Sequence, residues 1–172
     1  HLGEQQLKNI SQKVDVYKIK INDEEYNQSK ENELLTEANQ EIRYCGSKDN
    51  TIIGYAKLGN GPPLLKAPNF MSSLEHDWRS PIWTHLYRFL AQDHTLVRFD
   101  QRGNGSSDLD PLEITFNSFV EDMEAVVNES KIDKFPILGV SQGCAVSIAY
   151  AIRNPNKVSH LILIGGFARG KG

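Results

Sequence analysis

The stretch Phe135-Pro136-Ile137-Leu138-Gly139-Val140-Ser141-Gln142-Gly143-Cys144-Ala145 constrains this chain more than any other. An apolar run closes at Gly139, and a helical pattern opens just after Ser141. Between them, Gly139-Val140-Ser141-Gln142-Gly143 spells G-x-S-x-G. Where a strand precedes that spelling and a helix follows, the chain has to turn sharply. The serine then takes a strained backbone conformation with its hydroxyl at the tip. Glycines two residues to either side remove side chains that would collide with neighbouring backbone. The turn also begins a helix, so free N–H groups and the helix dipole favour negative charge where an oxyanion would form. Without its flanking strand and helix, the same spelling describes only a Gly-Ser turn.

The pieces around this stretch follow in an order that repeats. Ile42, Tyr44 and Cys45 suggest a first strand, Ser47 to Asn50 a turn, and Thr51 to Ala56 a second strand, together a hairpin. Leu64 to Ala67 is a short third strand. Pro81 to Leu90 reads as a helix with Ile82, Leu86 and Phe89 or Leu90 on its buried face. Thr95 to Asp100 is the next strand, and Phe116 to Val127 repeats apolar residues at helical spacing. Strand, elbow and helix follow, Asn154-Pro155 stops that helix, and Val158 to Ile164 is one more strand. Strands that alternate with helices after an opening hairpin predict an α/β fold. Its sheet is expected to be mostly parallel and doubly wound, with an antiparallel hairpin at the N-terminal side.

Residues 1–21 and 22–40 read differently from the main domain, 41–172. Val14 to Ile21 alternates apolar and polar residues as a half-buried strand does. A lone strand has no partner for its backbone, so this one is expected to belong to an upstream domain or else to join the main sheet. Gly3-Glu4-x-x-Leu7-Lys8-Asn9-Ile10 and Val14-x-Val16-Tyr17 resemble the C-terminal edge of class III nucleotide cyclase domains. That resemblance implies a cyclase-like domain upstream in the same chain. It touches none of that family's metal or nucleotide positions, so it implies no cyclase activity here. Residues 22–40 are polar and mostly acidic, with too few apolar side chains to offset ordering entropy, and read as a linker.

Charge and cysteine usage narrow the function classes. A net charge of −3 and a pI near 6.0 leave no basic stripe for nucleic acid. No apolar run approaches the roughly 18 residues of a membrane span. The start of the chain lacks a charged region followed by an apolar one, so no signal peptide is expected. It also opens on His1 rather than Met, as an excerpt would. Cys45 and Cys144 match no metal or redox spacing. Cys144 is expected to be a small buried hydrophobe, and two unpaired thiols fit a reducing, cytoplasmic setting.

Asp100-Gln101-Arg102-Gly103-Asn104-Gly105-Ser106-Ser107-Asp108 matches D-x-R-G-x-G-x-S-D at every defined position. With the elbow at its usual spacing downstream, the chain from about Glu41 resembles the N-terminal half to two-thirds of an α/β-hydrolase. The resemblance implies that Ser141 is a nucleophile and that an acyl-enzyme forms on it. A histidine would take its proton, and a carboxylate would orient the histidine. The backbone N–H of Gln142 would stabilise the oxyanion, with a second N–H from the loop after the third strand. In that loop Pro68-Asn69 stands where the family commonly has His-Gly, which makes Phe70 the second donor. No metal or organic cofactor is implied. Asp100 and Arg102 are expected to fix their loop as a pair. Asp77 and Trp78 read as packing residues beside the pocket, and His76, His85 and His94 as surface or packing residues.

Family chain order is Ser, then acid, then His. No Asp or Glu follows Ser141, and the one downstream histidine, His160, lies within a strand pattern. The acid and base are therefore expected beyond residue 172, as is the lid that selects substrate. A sheet cut after its sixth strand would expose an edge that further strands should cover. The expected function is that of a serine hydrolase module acting on an ester, thioester, lactone or similar acyl bond. The other reading is a non-catalytic domain that binds a small ligand and regulates a fused cyclase.

Overall fold

The computed structural model describes Glu4–Gln5, Val14–Asp15 and residues 40–167. The chain divides into two units, His1–Leu34 and Leu35–Gly172. In the first, β1 (Glu4–Gln5) and β2 (Val14–Asp15) pair antiparallel, with Glu4 opposite Asp15 and Gln5 opposite Val14. The remainder of the expected strand, residues 16–21, and most of the acidic stretch lie outside the described residues.

In the second unit a hairpin opens the sheet: β3 (Glu41–Gly46) pairs antiparallel with β4 (Ile52–Leu58). Next come β5 (Pro63–Lys66), a 3-10 turn at His76–Trp78, helix α1 (Thr84–Asp93) and β6 (Thr95–Phe99). They are followed by α2 (Phe116–Ser130), β7 (Phe135–Val140), α3 (Gln142–Arg153) and β8 (Val158–Ile164). The six strands line up as β3-β4-β6-β5-β7-β8. β4 meets β6 antiparallel, and every later pairing is parallel. The expected α/β sheet, mostly parallel and doubly wound with an N-terminal hairpin, is the fold observed. After β5 the chain steps to one side for β6, then crosses back to the other side for β7. That reversal leaves a crevice outside the carboxyl ends of β5 and β7, the usual ligand position in open α/β sheets.

Two cores flank the sheet. On one face Leu65, Val97, Phe99 and Ile137 pack under Val126 of α2 and Tyr150 of α3. On the other, Leu64, Leu96 and Leu138 pack under Trp78 and Tyr87. Helix α2 is well started: Thr115 Oγ1 accepts from Ser118 N at 3.1 Å, and Ser118 Oγ accepts from Thr115 N at 2.9 Å. Such a reciprocal cap satisfies two N–H groups that the helix leaves unpaired.

Helix α1 departs from the sequence reading. It starts at Thr84 rather than Pro81, and it buries Thr84 and Tyr87. Of the residues expected inward, Leu86 and Leu90 pack against the core, whereas Ile82 and Phe89 are 74% and 68% exposed. The cause lies under the helix, where the sheet presents the cations Lys66 and Arg98. Aromatic faces suit a cation better than aliphatic ones do.

The loop from Asp100 to Asp108 is held at each defined position, although not as an Asp100–Arg102 pair. Arg102 donates to Asp122 through Nε at 2.8 Å and Nη2 at 2.6 Å, and through Nη1 to Asp49 at 2.6 Å. Asp100 Oδ2 instead accepts from Ser106 N at 2.8 Å and Leu74 N at 3.1 Å. The two side chains thus fix the loop from opposite ends. A fork of five donors is better matched by two outside carboxylates than by one neighbour. Gly105 has φ 53°, and a Cβ there would fall 2.0 Å from Asp100 Oδ2. Ser107 Oγ accepts from Gly54 N and donates to Asp100 O, and Asp108 Oδ2 accepts from Ile52 N at 2.7 Å.

Arg102 and Asp122 have side chains 0% and 1% exposed, so removing one leaves the other a buried, unpaired charge. Arg102→Met is expected to destabilise the domain by about 3–5 kcal/mol, read from urea unfolding. Arg102 also holds the Asp49 carboxyl below its ordinary 3.8. That contribution is full above about pH 4 and is lost as pH falls through the lowered value. The variant should therefore lose less stability than the parent sequence on acidification below pH 4.

Candidate functional site

β7 delivers the chain into the crevice, and α3 carries it away. Ser141 stands between them at φ 52° and ψ −118°, a conformation rarely open to a residue with a Cβ. It is exposed, and its side chain makes no capping bond to the helix it starts. Backbone bonds hold the turn: Ser141 N donates to Ile164 O at 2.9 Å, and Cys144 N to Ser141 O at 3.0 Å. Neither glycine of the motif can carry a side chain in place. At Gly139 a Cβ would lie 2.8 Å from Ser147 Oγ and 2.9 Å from Gly143 O. At Gly143 it would lie 2.7 Å from Pro68 O. Cys144 is buried as expected, its one S–H within reach of Gly139 O at 3.3 Å and Ile164 O at 3.4 Å.

The contact between Gly143 and Pro68 brings the loop after β5 against the first turn of α3. That loop runs from Ala67, whose N–H donates to Leu138 O at 2.9 Å, through Asn69 and Phe70 to Met71. Met71 has φ 56°. Phe70 and Met71 are 67% and 71% exposed. Gln142, the residue after the serine, reaches the other wall of the crevice: its Nε2 donates to Gln101 Oε1 at 3.1 Å. Gln101 N in turn donates to Ser72 Oγ at 3.0 Å. The elbow, the Asp100–Asp108 loop and the loop after β5 are therefore stitched together around Ser141. The open N-terminus of α3, aimed into this space, favours a negative charge there.

Beneath the same loop lies a charged cluster that the sequence reading missed. Lys66 and Arg98 face each other across the β5–β6 ladder, and each is 3% exposed. The guanidinium of Arg98 sits 4.2 Å from the Tyr87 ring centroid and 4.6 Å from that of Trp78. It also donates to Leu74 O at 3.0 Å, with Asp77 at 3.6 Å. Lys66 Nζ lies 5.3 Å from the Trp83 ring centroid and donates to Asn69 Oδ1. Burial pushes the Lys66 ammonium down to about 8 and pushes the Asp77 and Asp100 carboxyls up. Trp78 thus packs, as expected from the sequence, while Asp77 also pairs with Arg98, which was not expected. The available signal was the aromatic set Trp78, Trp83 and Tyr87 beside a strand carrying a mid-run cation.

Among the described residues no histidine or carboxylate bonds to the Ser141 hydroxyl. His76 Nδ1 pairs with Ser73 Oγ at 3.0 Å, and His160 is exposed on β8. Nor do the described residues group three or more His, Cys, Asp or Glu as a metal site, and no described helix is long and apolar enough to cross a membrane.

The elbow is expected to tolerate no side chain at position 143. Gly143→Ala must part α3 from Pro68 and should cost about 1–3 kcal/mol, read as a lowered thermal midpoint. An unchanged midpoint would contradict the close approach.

Comparison with known proteins agrees with this geometry. Residues 72–170, more than half of the 172, match the family described as alpha/beta hydrolase fold. The chain is 28% identical over 115 residues to a pyrrolizixenacetamide deacetylase of Xenorhabdus hominickii, covering 67% of this chain and 41% of that protein. It superposes on the esterase RhEst1 of Rhodococcus sp. ECU1013 with a TM-score of 0.62 at 28% identity, covering 73% of this chain and 46% of the esterase. A hydrolase of Pseudomonas aeruginosa PA01 shares the fold at a TM-score of 0.67 and 21% identity, covering 76% of this chain and 48% of that one. The chain thus spans less than half the length of each of these relatives. With the strained serine and the two glycine contacts in place, the chain belongs to the alpha/beta hydrolase fold family.

Proposed function

We propose that this chain is the serine-bearing part of an esterase-type acyl hydrolase, with Ser141 as its nucleophile. The observation that carries the reading is the backbone of Ser141: strained, exposed and free of a capping bond at a strand-to-helix junction. Strain of this kind persists only where surrounding contacts over-determine it, and it clusters at reactive sites. In the proposed reaction Ser141 Oγ attacks an acyl carbonyl and its proton passes to a base. The oxyanion is held by the N–H of Gln142 and the N–H of Phe70. The leaving group departs with a proton, and water then releases the acyl group from Ser141. Esters, thioesters and lactones fit this chemistry.

A serine without a base is a weak nucleophile at neutral pH. The reading therefore places the acid and the histidine in sequence beyond Gly172. The exposed apolar run on β8, with Leu161 to Ile164 between 38% and 51% exposed, supports further chain covering that side of the sheet.

A second reading has support from one observation, the resemblance of residues 3–17 to the closing segment of a cyclase domain. There the domain binds a small ligand and regulates a fused cyclase without turnover. A linked catalytic output gives a ligand-binding fold a regulatory use, and fold alone decides nothing between the two.

A serine-directed fluorophosphonate is expected to label the full-length protein at Ser141, and Ser141→Ala should abolish that labelling. Residues 1–172 alone should react roughly a thousandfold or more slowly, since the base is missing. Rapid, stoichiometric labelling of the short piece would overturn the placement of the base. Measuring ester hydrolysis and cyclase output separately in the Ser141→Ala protein ranks the two readings. Loss of hydrolysis alone favours the hydrolase, and cyclase regulation that persists with no hydrolysis in either protein favours the sensor.

A further inference from the structure

We propose that Lys66 is a positioning residue for the loop after β5, acting through Asn69 on the peptide that follows Phe70. The consequence for reactivity rests on Ser141 being the nucleophile; the effect on the loop does not.

A lysine 3% exposed at the carboxyl end of β5 is costly to desolvate, and an aliphatic residue would fill the same space without that cost. Its retained ammonium has a specific task in the geometry. The rings of Trp83 and Tyr87 lie over it at 5.3 and 5.9 Å, and its hydrogen bond goes to Asn69 Oδ1. Asn69 passes the contact on, its Nδ2 donating to Phe70 O at 3.2 Å. The next residue, Met71, is held at φ 56°. This strained segment is not held by burying its own side chains, since Phe70 and Met71 are both largely exposed. The polar relay from Lys66 through Asn69 to the Phe70 carbonyl is what fixes the orientation of the peptide. Immediately before it, Pro68 O meets the first turn of α3, so the relay sets this loop relative to Ser141.

The groups facing the ammonium decide its pH behaviour. Arg98 on β6 disfavours its charge; Asp77 of the 3-10 turn and Asp100 beyond β6 favour it; Tyr87 and Trp83 supply ring faces. Burial outweighs these and brings the ammonium to about 8, below its ordinary 10.5. A charged donor makes the stronger hydrogen bond, so the grip on Asn69 weakens as pH rises through 8. Between about pH 8 and 10.5 the folded chain holds fewer protons here than the unfolded chain, so this group alone makes folding more favourable as pH rises. Loop order and global stability therefore move in opposite directions with pH, which a purely structural lysine would not produce.

The test uses the full-length protein with Lys66→Met and Asn69→Ala, read in two ways. Amide hydrogen exchange at residues 69–72 should quicken about tenfold in each variant, with no further gain in the double variant, as for two members of one relay. Fluorophosphonate labelling of Ser141 should fall above pH 8 in the parent sequence and lose that descending limb in Asn69→Ala. Exchange at 69–72 unchanged in Asn69→Ala, or a limb that persists there, overturns the proposal. Should Lys66→Met fail to fold, the exposed-loop variant Asn69→Ala still decides it. If nothing labels Ser141 in any protein, the nucleophile reading fails while the exchange data still judge Lys66.

Discussion

The buried guanidinium of Arg102 is the interaction on which the rest of the domain leans. Its side chain is fully enclosed, and it grips Asp122 on α2 and Asp49 in the β3–β4 turn at once. It also donates to Glu113 O at 2.8 Å, at the approach to α2. Hairpin, loop and helix therefore share one cation. Two residues earlier, Asp100 anchors the same loop to Leu74 and Ser106. Between these two anchors only Gln101 is left to face the crevice, where it meets Gln142 and Ser72. Three consecutive residues thus point in three directions, and the middle one borders the elbow because its neighbours are fixed elsewhere.

This division gives each defined position of the motif a structural task. Its glycines admit a carboxylate and a tight turn, its serine and terminal aspartate satisfy backbone N–H groups of β4, and its arginine pairs with two acids. Each defined position is spent on shape. The elbow uses glycine differently: Gly139 lets β7 approach α3, and Gly143 lets α3 approach the loop after β5, more closely than a side chain would permit.

How much of this was legible in the sequence depended on range. The elbow could be read because its cause is local: a strand, five residues and a helix. β8 was read with its observed bounds, and α2 was read three residues short, because apolar periodicity is also a local signal. The partners of Arg102 were not legible, since Asp49 and Asp122 lie 53 and 20 residues away. Lys66 and Arg98 were missed for a different reason. A charged residue inside a strand reads as solvent-facing unless something reveals that a helix will cover it. On α1 the periodicity found Leu86 and Leu90, which pack on the core, but not Tyr87, whose ring covers Arg98.

The two kinds of ion pair in this domain sit in different media. Mobile ions shorten electrostatic reach to about 8 Å at physiological ionic strength, but only where they can penetrate. The contacts Lys48–Glu121 and Arg43–Glu41 have at least one partner well exposed and fade as counterions accumulate. Arg102 with Asp122, and Arg98 under its aromatic cover, lie where no counterion can enter. The scaffold around the serine is thus insulated from brine, and a concentrated electrolyte would loosen the outer skin of the domain before it reached the crevice.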